Sequence, residues 1–180
     1  MRLIFETLGK NHDREAFSCG IEALDRYLKT QALQNAKKYV AAVFVLVNEG
    51  EPDRILGYYT LSATSVKLSE LPPETAKKIP KYPSMPATLL GRFAVSDQCR
   101  EMGFGELLLM DALKRSFDQS VQIGSSAVIV DAKDEKASAF YQHFGFRQFL
   151  DNPRKLFLPM RTIERLFTAK DALSDDSNSR

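Results

Sequence analysis

Along this 180-residue chain the spacing of apolar residues changes several times, and each change predicts an element. Residues 2–8 are apolar enough for a first strand, and a polar loop over residues 12–20 follows, in which Ser18 or Gly20 can open a helix. Ile21, Leu24, Leu28 and Ala32 then recur at helical spacing with Arg26, Lys29, Lys37 and Lys38 off that stripe, which predicts an amphipathic helix. Residues 40–47 and 55–63 are rich in β-branched and aromatic side chains, and the turn formers at 48–53 predict that they pair as an antiparallel hairpin. Five of the eight prolines (Pro72, Pro73, Pro80, Pro83 and Pro86) crowd the next stretch around a short helical candidate at 74–78. That stretch reads as a surface excursion contributing to an acceptor site.

The second half alternates strand and helix. A strand at 89–95 leads through a glycine turn into a long apolar helix at 103–118, in which Leu107, Leu108, Leu109, Leu113 and Phe117 are the core candidates. A continuous apolar strand at 125–130 comes next, then a helix at 134–144 that Gly145 ends, because a left-handed cap costs least there. Residues 146–150 and 155–160 are two closing strands around an Asp151-Asn152-Pro153 turn. Two strand-helix-strand crossings behind an antiparallel front half make an α+β domain on one mixed sheet, spanning residues 1–168, with a polar, flexible tail at 169–180.

Composition narrows the chemistry. Cys19 and Cys99 are the only cysteines, His12 and His143 the only histidines, and none stand at zinc-ligand spacing, so no metal is expected. No run of 18 apolar residues and no secretion leader is visible, which predicts a cytoplasmic protein that neither spans a membrane nor forms disulfides. The formal charge is +2; the last ten residues hold three acids and one base, which leaves +4 on residues 1–170. Clustered, that excess would greet a polyanion; scattered, it is an ordinary solvated surface.

The glycine turn is the most informative stretch. A P-loop needs Gly-Lys-Ser/Thr, whereas Gly105 is followed by Glu106-Leu107; a dinucleotide fingerprint needs a third small residue where Leu108 stands. What remains is Arg100-Glu101-Met102-Gly103-Phe104-Gly105, an Arg/Gln-x-x-Gly-x-Gly/Ala pattern at a helix start. Glycines let the backbone aim successive N–H groups at one point, and the helix start adds about half a positive charge, which suits a pyrophosphate. Taken alone, the same residues also make an ordinary tight turn into a buried helix.

The pattern resembles the acetyl-CoA loop of the GNAT N-acetyltransferases, and Ala137-Ser138-Ala139-Phe140-Tyr141-Gln142-His143-Phe144-Gly145-Phe146 resembles their second signature. The resemblance implies the GNAT fold: a central mixed, mostly antiparallel sheet splayed between two strands and flanked by helices. It also implies that Arg100, Glu101, Met102, Gly103, Phe104 and Gly105 hold acetyl-CoA, and that Phe93, Ala94 and Val95 pair with its pantetheine arm as an added strand would. Tyr141 takes the place of the proton donor that protonates the departing thiolate. Its spacing with Ala137, Phe140 and Phe144 also fits a core stripe. His143, two residues on, reads as a surface residue, and His12 carries no signal. The strand at 92–95 offers no glutamate base; an α-amine, with a pKa of roughly 7.7 to 8.0 that an adjacent ester lowers further, needs little help from one.

The likeness runs beyond the cofactor core. His12-Asp13-Arg14, Phe17-Ser18-Cys19-Gly20, Leu24-Asp25-Arg26-Tyr27-Leu28, residues 55–62 and Leu156-Phe157-Leu158-Pro159-Met160 resemble the acetyltransferase toxins of bacterial toxin–antitoxin pairs. That branch implies acetylation of the α-amino group of aminoacyl-tRNA, a block of translation, restraint by a ribbon-helix-helix antitoxin, and a homodimer. Arg92 is then the first candidate for substrate contact, ahead of Lys29, Lys37, Lys38, Lys77, Lys78 and Lys81, which also read as solvated charges. A protein N-terminus or small-molecule amine is the alternative acceptor, and a non-catalytic binding module the alternative class.

Overall fold

The β-rich runs after residue 40 do form adjacent antiparallel strands, and the rest of the described chain, residues 1–177 of a computed structural model, is built around them. In chain order the elements are β1 (Leu3–Thr7), α1 (Glu22–Thr30), α2 (Ala32–Lys37), β2 (Ala42–Asn48), β3 (Glu51–Lys67), α3 (Pro73–Ala76) and β4 (Ser84–Val95). There follow α4 (Phe104–Ser120), β5 (Ala127–Asp131), α5 (Glu135–His143), β6 (Arg147–Gln148), β7 (Lys155–Pro159) and α6 (Met160–Ser177). The fold is α+β, with one seven-stranded sheet in the order β1-β2-β3-β4-β5-β7-β6. The pairs β1·β2, β2·β3, β5·β7 and β6·β7 are antiparallel. Packing divides the chain into two compact units, Met1–Ser62 with Leu90–Ala112, and Ala63–Leu89 with the chain from Leu113 onward.

In the first unit β3 is buried on both faces from Ile55 to Thr60, and its alternation sends neighbouring side chains to opposite sides. Tyr58 is fully buried, its hydroxyl donating to the Leu24 carbonyl of α1 (2.7 Å), with its ring against Phe17 and Tyr27. Tyr59 is fully buried the other way, stacked on Phe44 and hydrogen-bonded to Asp111 of α4. Gly57 lies on the face of Tyr59. A β-carbon there would stand 2.7 Å from Leu108 Cδ1 and 3.0 Å from the Ala94 carbonyl, so this glycine lets α4 lie directly on the strand. Leu108, Leu109, Ala112 and Leu113 are completely buried, whereas Leu107, predicted as core, is 41% exposed because it falls one step off that stripe.

The second unit has its own core of Val66, Leu71, Ala87, Ile129, Phe149 and Phe157. The proline-rich stretch forms α3, tied to β6 by Arg147, which donates to Thr75 (3.0 Å) and Glu74 (3.0 Å). β4 begins at Ser84, earlier than residue 89, because proline lacks an N–H but keeps a carbonyl: Pro86 accepts from the Ser126 N–H at 2.8 Å. The polar stretch after Ala169 is helical through Ser177, with no glycine or proline to stop it, and residues 178–180 of the predicted tail lie outside the described residues.

The helix predicted from Ile21 to Ala32 is two helices. Gln31, at φ −122° and ψ −34°, breaks it, and the apolar stripe continues across the break with Ala32 buried. α2 then ends in a Schellman motif: Tyr39 N–H donates to the Ala36 carbonyl (3.2 Å) and Val40 N–H to that of Asn35 (3.0 Å). The left-handed position, normally glycine, holds Tyr39 at φ 59°, which costs about 1–2 kcal/mol. Gly57→Ala is expected to cost about 1–3 kcal/mol by overpacking, read as a lowered thermal midpoint; an unchanged midpoint would mean that Leu108 and the strand yield freely.

Candidate active site

Two left-handed residues, Glu101 (φ 62°) and Gly103 (φ 79°), turn the chain between Cys99 and α4. The buried ring of Phe104 anchors the first helical residue. Leu107 N–H reaches back to the Gly103 carbonyl at 3.4 Å, but among the described residues nothing accepts from the N–H groups of Gly103, Phe104, Gly105 or Glu106. These are the orphan donors that every helix start leaves, here beside a turn in which Gly103 is exposed, with the positive end of a 17-residue helix behind them. The place a Gly103 β-carbon would take has no atom within 4 Å, so only φ demands glycine and the space beside the turn is open. Met102 is the exception among the predicted amides: its N–H donates inward to the Cys99 carbonyl at 3.4 Å.

Arg100 is committed elsewhere than expected. Its guanidinium pairs with Asp97 and donates to the Cys19 carbonyl at 3.2 Å, so its charge is balanced and its contacts tie the turn to the loop before α1. A hollow of about 620 Å³ near this loop is lined by Asp13, Glu51, Asp53, Arg54, Asp97 and Gln98, among others. With Glu51 paired to Arg54 and Asp97 to Arg100, Asp13 and Asp53 leave the hollow net negative, which favours the open amides as the anion site.

Phe93, Ala94 and Val95 close β4, with Ala94 buried and the other two half-buried. Ser96 N–H continues the pairing onto the Leu56 carbonyl at 2.9 Å. Arg92, just before them, is exposed but not loose. Its backbone N–H donates to Thr60 Oγ1 (2.8 Å), and its guanidinium lies 4.0 Å above the ring of Tyr27. Asn35 in turn donates to the Tyr27 hydroxyl at 3.2 Å. Cation–π stacking of this kind is worth about 0.5–1 kcal/mol at an exposed site, enough to favour one orientation of the charge. Tyr27 carries no such signal in the sequence, where it is one more helix residue.

In the second unit Tyr141 lies on α5, whose start is fixed by Asp134 accepting from the Ala137 N–H at 2.7 Å. The ring is buried between Phe140 and Phe146, at centroid distances of 5.3 and 5.4 Å. Gly145 ends the helix at φ 96°, and the Phe146 N–H returns to the Tyr141 carbonyl at 3.2 Å. Burial pushes the phenol's pKa well above its ordinary value, so Tyr141 keeps its proton at neutral pH. Tyr141 is therefore both the buried member of its helix stripe and a phenol able to donate. His143 is exposed, as its place on the helix predicts. His12 is buried and structural: Nδ1 accepts from the Gly9 N–H (2.9 Å) and Nε2 faces Glu6 (3.1 Å). Among the described residues no group of three or more His, Cys, Asp or Glu is placed to hold a metal ion, and no helix is long and apolar enough to cross a membrane.

Residues 85–162 match the family model described as an acetyltransferase (GNAT) domain. The chain is 32% identical over 171 residues to a probable toxin TacT of Sinorhizobium fredii, covering 91% of this chain and 94% of that one. It is 34% identical over 154 residues to a tRNA-acetylating toxin of Mycobacterium tuberculosis, covering 86% and 90%. Among solved structures it resembles AtaT complexed with acetyl-methionyl-tRNAfMet, with a TM-score of 0.86, 31% identity and coverage of 92% and 99%. A tyrosine-to-phenylalanine mutant of AtaT, bound to the C-terminus of its antitoxin AtaR and to acetyl-CoA, aligns at a TM-score of 0.78 with 27% identity, covering 93% and 99%.

Tyr58 and Tyr141 are both raised, chiefly by burial. The unfolded chain loses these protons near pH 10 and the folded one only later, so their contribution to stability is full below about pH 10 and falls away above it. Of the six tyrosines, these two are expected to ionise in an ultraviolet titration only as circular dichroism reports unfolding. Ionisation of all six with the native spectrum intact would contradict the burial.

Proposed function

We propose that this chain, which belongs to the GNAT acetyltransferase family, moves acetyl from acetyl-CoA to the α-amino group of aminoacyl-tRNA and blocks translation as the toxin of a toxin–antitoxin pair. The observation that carries the first step is the set of four unpaired N–H groups at the start of α4, an arrangement that fits a diphosphate. Gly103, Phe104, Gly105 and Glu106 would hold the pyrophosphate of acetyl-CoA, with Glu101 and Met102 shaping the turn and Arg100 bracing it through Asp97. Phe93, Ala94 and Val95 would pair along the pantetheine. When bound, acetyl-CoA supplies a thioester carbonyl for the amine to attack and a thiolate to leave.

Tyr141 holds the proton that the leaving sulfur needs, and its burial keeps that proton in place until the carbon–sulfur bond breaks. The proton that the amine loses as the amide forms passes to solvent, and the phenol takes one back from solvent between turnovers. No base is assigned to this chain, because an α-amine next to an ester is already substantially neutral at physiological pH. Arg92, steadied on Tyr27, would face the phosphates or the charged end of the acceptor. Residues 1–168 act in this reading as a single acetyltransferase domain that works in the cytoplasm as a homodimer and is restrained by a ribbon-helix-helix antitoxin. The relative named a tRNA-acetylating toxin and the neighbour solved with an acetylated methionyl-tRNA support this acceptor over a protein N-terminus or a free amine.

Labelled acetyl-CoA and bulk charged tRNA are expected to give label that ribonuclease releases. Label that stays on protein or on a small amine after ribonuclease would move the acceptor to those classes. Tyr141→Phe is expected to lower turnover by about 10²-fold or more while acetyl-CoA affinity stays within a factor of two or so. Turnover equal to that of the unmodified protein would remove Tyr141 from the chemistry.

A further inference from the structure

Tyr39 is 95% exposed and sits at the left-handed end of α2, where glycine would be the more stable residue. Two unfavourable features therefore meet at one position: a strained backbone and an aromatic ring held almost wholly in water. Neither is compensated within the described chain. Among the described residues the ring makes none of the aromatic or cation–π contacts seen elsewhere, and the one hydrogen bond of Tyr39 is its backbone N–H to the Ala36 carbonyl. Strain retained beside an unburied ring points to a ligand that uses the ring.

The surroundings give the ligand's chemistry. Lys37 and Lys38 immediately precede the tyrosine, both are exposed, and neither has a carboxylate within ion-pair distance among the described residues. Over residues 26–48 the sequence carries Arg26, Lys29, Lys37 and Lys38 and not one aspartate or glutamate. A flat ring flanked by two unpaired cations matches a nucleotide, with a base on the ring and phosphates on the ammonium groups. Val40, the next residue, is also exposed, at 61%, and two such side chains are far smaller than a stable protein interface needs. Bases inside a duplex are already stacked, so the ring needs an unpaired one.

We propose that Tyr39, with Lys37 and Lys38, is a stacking platform for an unpaired nucleotide of the tRNA substrate. The proposal rests on the reading of this chain as an aminoacyl-tRNA acetyltransferase and adds to it a surface outside the cofactor turn. The platform serves affinity for the RNA, and no step of the acetyl transfer is assigned to Tyr39.

The test is filter binding of charged tRNA to the full chain, together with acetylation kinetics. Tyr39→Gly is expected to raise the thermal midpoint, because strain is relieved, and to leave acetyl-CoA affinity unchanged. At the same time it should weaken tRNA binding, and raise KM for charged tRNA, by about 5- to 100-fold, the range found for removal of one stacked base. Tyr39→Phe keeps the ring and should bind like the unmodified protein. Joint Lys37→Ala and Lys38→Ala substitution should make the slope of log affinity against log salt shallower by about 1.4, or 0.7 for each lost single-strand phosphate contact. Unchanged tRNA affinity in Tyr39→Gly overturns the platform, and so does a loss confined to self-association or antitoxin binding, which would assign the ring to a protein partner. Failure of the broader reading looks different: the unmodified protein itself would neither bind nor acetylate charged tRNA, and the platform would fall with it.

Discussion

Four backbone N–H groups at one helix start, with no acceptor among the described residues, are the feature on which the rest depends. A folded protein leaves such donors open only where water or a ligand meets them. Charge-assisted hydrogen bonds are worth about 1.5–3 kcal/mol each, so a few of them account for much of the roughly 8 kcal/mol behind micromolar affinity. Their direction is fixed by what lies underneath. Gly57 lets Leu108 press onto β3, Tyr59 reaches Asp111 from the same face, and buried Phe104 holds the first turn. The left-handed Glu101 and Gly103 then bring the chain into α4 with its amides outward.

The proposed acetyl transfer asks little more of the protein than placement and one proton, which Tyr141 would supply. A phenol surrounded by Phe140 and Phe146 keeps that proton through the neutral range. An α-amine on an esterified amino acid would arrive largely ready to attack, which is compatible with a strand at 92–95 that carries no glutamate. The stacked Arg92–Tyr27 pair, and the exposed Tyr39 that follows Lys37 and Lys38 in sequence, would suit the proposed acceptor, which presents phosphates and bases together.

Much of this was legible in the residues. The glycine turn and the paired strands β2 and β3 follow from spacing and composition, because each is a local pattern, whereas the α5 signature was legible only through its resemblance to the acetyltransferases. What escaped depended on partners distant in sequence or on a backbone angle. Arg100 reads as a cation for the anion, yet Asp97 and the Cys19 carbonyl claim it. Met102 reads as an open amide and is bonded to Cys99. The break at Gln31 hides because the apolar stripe crosses it, and the early start of β4 hides behind prolines whose carbonyls still pair. Tyr39 looks unremarkable until its φ is known, since no sequence rule places a tyrosine where glycine belongs.

The most direct measurement is an amide-resolved NMR titration of the protein with coenzyme A. The N–H resonances of Gly103, Phe104, Gly105 and Glu106 should move farthest, downfield as hydrogen bonds form, and saturate together, while that of Met102 responds less because its bond to Cys99 persists. Saturable binding that leaves those four resonances in place would mean that the diphosphate sits elsewhere, and the account of this site would be wrong.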